Sequence, residues 1–88
     1  MHLTPCQLKQ LVIEVATEQF GRAMFHRRQL MRAVEERTRQ IGVWTLADDK
    51  KSKPRGVKSR GLATIDWAIS NLKGSGLNRL GHDQWQLP

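Results

Sequence analysis

The chain has 88 residues, room for one small domain but not for a cofactor fold joined to a substrate domain. Fifteen Lys and Arg stand against eight Asp and Glu, a net charge of +7 that points to nucleic acid, an anionic membrane surface or an acidic partner. A single cysteine, Cys6, excludes an intramolecular disulfide and a CxxC metal knuckle. The longest apolar run is Leu11-Val12-Ile13, far short of a bilayer span or a signal-peptide core, so a cytoplasmic, membrane-free location is expected.

Thr4-Pro5-Cys6-Gln7 opens the first element. Thr4 is placed to cap the free amides, Pro5 lacks the N–H that a first helical position leaves unpaired, and Gln7 completes a capping box. Leu8, Leu11, Val12, Val15 and Ala16 then recur at helical spacing, and Gly21 ends the pattern. A helix over about residues 5–19 follows. Phe25 is read next as a short strand or an apolar staple. Leu30, Ala33, Val34, Arg37 and Ile41 form the stripe of a second helix, about 27–40, with Gly42 as its stop.

Residues 43–60 change character. The run from Asp48 to Arg60 contains Pro54, Gly56 and the cations Lys50, Lys51, Lys53, Arg55, Lys58 and Arg60, with neither a helical nor a strand period. This reads as a flexible basic loop inside a single domain spanning 1–88. Ser59 caps a third helix to about Lys73, burying Leu62, Ile65, Ala68, Ile69 and Leu72. Gly74-Ser75-Gly76 breaks it, and strands at Leu77–Leu80 and Gln84–Leu87 follow, joined by a turn at Gly81-His82-Asp83. Trp85 and Leu87, two apart, face the helices together. The fold class is mainly α with a small β-hairpin; a plain three-helix bundle leaves the alternation through Trp85 and Leu87 unexplained.

The stretch Ile65-Asp66-Trp67-Ala68-Ile69-Ser70-Asn71-Leu72-Lys73-Gly74-Ser75-Gly76-Leu77, with Gln84-Trp85-Gln86-Leu87, resembles the recognition helix and wing of winged helix-turn-helix DNA-binding domains. Trp67-Ala68 is similar to the N-terminal domain of Mrr-type restriction endonucleases. Phe25-His26-Arg27-Arg28-Gln29-Leu30, the basic loop and Trp85-x-Leu87 are closer to HARE-type and linker-histone winged helices. The resemblance implies a three-helix core with a C-terminal wing and binding to double-stranded DNA, as in a transcriptional regulator or a DNA-recognition domain. One departure is the long basic loop between helices 2 and 3, where a tight helix-turn-helix has three or four residues. It weakens the case for sequence-specific readout more than the case for DNA binding.

At about 100° per residue, Arg60, Thr64, Trp67 and Asn71 lie opposite the buried stripe of helix 3, where a winged helix enters the major groove. Asn and Thr are able to read base edges there. Arg60 and Lys73 at the helix ends suit phosphates, the loop cations Lys50, Lys51, Lys53, Arg55 and Lys58 add attraction of no sequence preference, and Arg79 and His82 sit on the wing. Trp67 is either exposed for stacking or covered by the loop and Trp44, and the cost of a bare Trp favours cover. Asp48-Asp49 and Glu35-Glu36 form no acid–base pair, and His2, His26 and His82 have no metal-ligand spacing, so no enzyme activity, cofactor or metal is expected. A second function of another class remains: an interaction module docking an acidic protein, favoured by the arginines of helix 2, which divide the charge.

Overall fold

Helix α1, Pro5–Phe20, starts at a complete capping box. The Gln7 N–H donates to Thr4 Oγ1 (3.2 Å) while the Thr4 N–H donates to Gln7 Oε1 (2.9 Å), satisfying two of the amides a helix start leaves unpaired. It ends at Gly21, whose φ of +56° is one a side chain would strain. Strand β1, Phe25–His26, leads directly into α2, Arg27–Gln40. Gln29 reaches back to accept from the His26 N–H at 2.9 Å, a second box of the same kind. Helix α3, Arg60–Asn71, is capped by Ser59 Oγ, which accepts from the Leu62 N–H. Strands β2, Asn78–Gly81, and β3, Gln84–Gln86, complete the chain. A computed structural model describes residues 1–51 and 58–88.

The strands form one antiparallel sheet in the order β1-β3-β2, with Phe25 opposite Trp85 and Arg79 opposite Trp85 on the other side. The expected C-terminal hairpin is joined by β1, so of the two readings of Phe25 the short strand holds and the sheet has three strands. Two strands alone are marginal in water, and the addition places Trp85 at the centre of the sheet. His82-Asp83 makes the turn, with Asp83 at φ 61°, and the Asp83 carbonyl accepts from the Arg27 N–H at 3.3 Å. The turn is thereby held against the start of α2.

One core joins all of these elements. Leu8, Val12, Val15, Leu30, Val34, Ile65, Ile69, Leu77, Phe25 and Trp85 are buried in it, and Phe20 stacks on Phe25 with ring centroids 4.6 Å apart. Burial of this kind contributes about 25 cal/mol per Å² of apolar surface and holds the short helices in place. On α2 the expected stripe is corrected at its end: Ile41 is 51% exposed, and Thr38 is wholly buried. The Thr38 hydroxyl donates to Glu35 O and its carbonyl accepts from the Val43 and Trp44 N–H groups, which turns the chain away before Ile41 reaches the core.

The expectation of no regular element over 43–60 is also corrected. Leu46–Asp49 form a 3-10 turn packed on α3. Asp48 is buried there; its carboxylate accepts from the Thr45 N–H (2.8 Å) and hydroxyl (3.0 Å) and pairs with the Met1 ammonium at 3.0 Å. Burial alone would raise the Asp48 pKa, but these donors outweigh it and hold it below the ordinary value. Trp44 lies over Gly61 so closely that a Cβ there would collide with the indole ring.

Candidate nucleic-acid interface

Helix α3 buries Gly61, Ile65, Ala68 and Ile69, and Arg60, Thr64, Trp67 and Asn71 all fall on its exposed side. Their polar atoms are not equally available. Thr64 Oγ1 donates to Arg60 O at 2.9 Å, and Asn71 Nδ2 donates to Trp67 O at 2.8 Å, so both turn back on the helix. Trp67 is 45% exposed, and the Lys9 ammonium lies 5.4 Å from its ring centroid. Cover by Trp44 is thus corrected. Trp44 meets the helix at Gly61, six positions and about 120° around from Trp67, and stacks instead under Arg39.

The cations collect at both ends of α3. At its start, the Arg60 N–H donates to Lys50 O at 2.7 Å and Lys51 is bridged to Ser59, bringing Lys50, Lys51 and Arg60 together. Beyond its end, Lys73 is bridged to Leu77 and Arg79 follows on β2, where its Nε donates to Gly81 O at 3.2 Å. His82 is exposed in the turn. Lys53 and Arg55 lie outside the described residues.

Lys58 behaves differently. Its ammonium is 2.8 Å from Asp66 Oδ2, while Arg27 Nε is 2.5 Å from Asp66 Oδ1. Arg27 also donates to Asp66 O at 2.8 Å and to the Ser70 hydroxyl. Burial would raise the Asp66 pKa, but the Lys58 hydrogen bond and the Arg27 charge overcome it and hold the carboxylate ionised below its usual range. Arg27 and Asp66 are 39 residues apart, so no spacing in the sequence announces this cluster.

Two further residues belong to this surface. Arg28 and Arg32, one helical turn apart on α2, line an open groove of about 890 Å³ with Met31, Glu35, Leu62, Asp66 and Ser70, and the Asp83 turn borders it. Among the described residues neither has a carboxylate partner, whereas Arg37 pairs with Glu18 and Arg39 with Glu35 and Asp49. The Asp49 hydrogen bond is the main reason the Arg39 pKa is raised. Glu36, four residues after Arg32, accepts from Gln40. Helix 2 therefore divides its charge. Arg28 and Arg32 are open, whereas Arg27 is paired with Asp66 of α3, and Arg37 and Arg39 are paired toward the end of the helix.

Chemically the surface offers fixed cations around a helix of about 18 Å. Among the described residues no three His, Cys, Asp or Glu side chains converge as metal ligands, and no helix is long and apolar enough to cross a membrane. No protein-family model, curated protein or solved structure matches the chain.

Proposed function

We propose that the chain is a winged-helix module that binds double-stranded DNA, with α3 toward the major groove and the surrounding cations on phosphates. The observation that carries this reading is the gathering of unpaired cations around α3 and the hairpin. Arg28, Arg32, Lys50, Lys51, Arg60, Lys73 and Arg79 lack carboxylate partners among the described residues and stand on or beside α3, the hairpin and the groove between α2 and α3. Phosphate contacts dominate nucleic-acid affinity, and unpaired guanidinium and ammonium groups supply them without first breaking an ion pair. The helix order and the sheet built from β1 and the C-terminal hairpin support the winged-helix part of the reading.

The test is a titration of labelled random-sequence duplex at low salt, with a Lys50→Ala/Lys51→Ala/Lys53→Ala variant alongside. Micromolar binding that weakens several-fold in the variant is expected. No binding by the parent chain at low salt would defeat the DNA reading and shift the search to an acidic protein partner.

A further inference from the structure

We infer that Trp67 favours thymine in the bound duplex, its indole packing on the C5-methyl group in the major groove; the inference rests on the DNA-binding reading and names the base that this surface prefers. The three tryptophans of the chain are used differently. Trp85 is buried at the centre of the sheet, and Trp44 covers Gly61 while its N–H donates to Asp49 Oδ1 at 3.1 Å. Trp67 is 45% exposed, and among the described residues its N–H has no acceptor. The fold thus leaves almost half of a large apolar side chain on the outward side of α3.

Its surroundings decide what that surface meets. Thr64 lies one turn before it and Asn71 one turn after it, both shorter side chains that donate to the helix backbone. The Lys9 ammonium is 5.4 Å from the ring centroid, Arg60 opens the helix and Lys73 follows its end. An apolar patch walled by cations fits a groove walled by phosphates. On the floor of the major groove, guanine, adenine and cytosine present polar atoms, and thymine adds a methyl group. Pressing an indole against polar edges strips them of water and offers a single N–H in return. Against thymine the ring meets the methyl group, and the N–H is able to donate to the O4 acceptor beside it.

The test compares an alternating A·T duplex with the same duplex carrying uracil for thymine, which removes the methyl groups and leaves every base pair and phosphate in place. The parent chain and a Trp67→Ala variant are titrated with both at low salt. The parent is expected to bind the thymine duplex about fourfold more tightly, the effect of burying one methyl group, and Trp67→Ala to bind the two alike. A ratio of about twofold or less in the parent, with both duplexes still bound, would overturn the inference and leave the DNA reading intact. A preference that persists undiminished in Trp67→Ala would overturn it too, because it would belong to the duplex or to another side chain. Binding of neither duplex by the parent would defeat the DNA reading itself, and the inference with it. Trp67 lies outside the core cluster, so the substitution spares the core, and the comparison within the parent chain stands without the variant.

Discussion

Asp66 is an acidic side chain on this surface, as are Glu35 and Asp83 in the same groove, and its surroundings decide whether it repels a phosphate. Arg27 and Lys58 together outweigh its charge, so the cluster as a whole remains positive. Asp66→Asn leaves the partly buried Arg27 without its counter-charge and is expected to destabilise the fold by on the order of 1 kcal/mol in denaturant unfolding. The pH dependence has a definite sign. The folded-state pKa of Asp66 is depressed, so its contribution is fully present above the ordinary value of 3.8 and is lost as pH falls through the lower folded value. Stability of the parent chain should therefore decline below about pH 4, and the decline should be shallower in Asp66→Asn. Equal slopes in the two proteins would show that the ion pair contributes nothing. Arg28 and Arg32 supply a second expectation at this scale. Replacing both by Ala should make the salt dependence of DNA affinity shallower by about two, one for each phosphate no longer neutralised. Arg37→Ala/Arg39→Ala, which removes arginines already paired, should leave that slope unchanged.

At the scale of elements, the three helices were legible because each carries its own signals. Thr4 with Gln7, Ser59, and the glycines 21 and 42 mark ends, and the apolar period marks faces. The pieces that escaped are those whose stability is borrowed. A 3-10 turn of four residues has no period to detect, and Leu46–Asp49 is held by Asp48 meeting Thr45 and the Met1 ammonium and by neighbouring Trp44 meeting Gly61. β1 is a partial case: Phe25 was open between a short strand and an apolar staple, and the strand forms because β3 lies beside it. The candidate site divides in the same way. Arg60, Thr64, Trp67 and Asn71 were placed on the exposed side of α3 by period alone, but period says nothing of whether a hydroxyl or an amide folds back on its helix. Arg28 and Arg32 join the surface only through the packing of α2 against α3. The close approach at Gly61 gives a direct check of the borrowed elements. Gly61→Ala would drive a Cβ into the Trp44 ring and the Asp48 Cβ, displacing the 3-10 turn at a cost of about 1–3 kcal/mol. The midpoint of thermal unfolding should fall by roughly 4–8 °C per kcal/mol in a domain of this size, and an unchanged midpoint would mean that the turn contributes little.

Over the whole molecule, the excess of positive charge is arranged rather than spread evenly. Ion pairs neutralise Arg27, Arg37 and Arg39 of α2, while among the described residues unpaired cations lie around α3, the hairpin and the groove between α2 and α3, with Arg22 a further one beyond α1. The central claim is that these cations meet phosphates. The measurement that tests it most directly is the affinity for a random-sequence duplex across a series of salt concentrations. With about six cations on phosphates, log affinity should fall against log salt with a slope near −5. A slope near zero, or no binding at the lowest salt, would contradict the account.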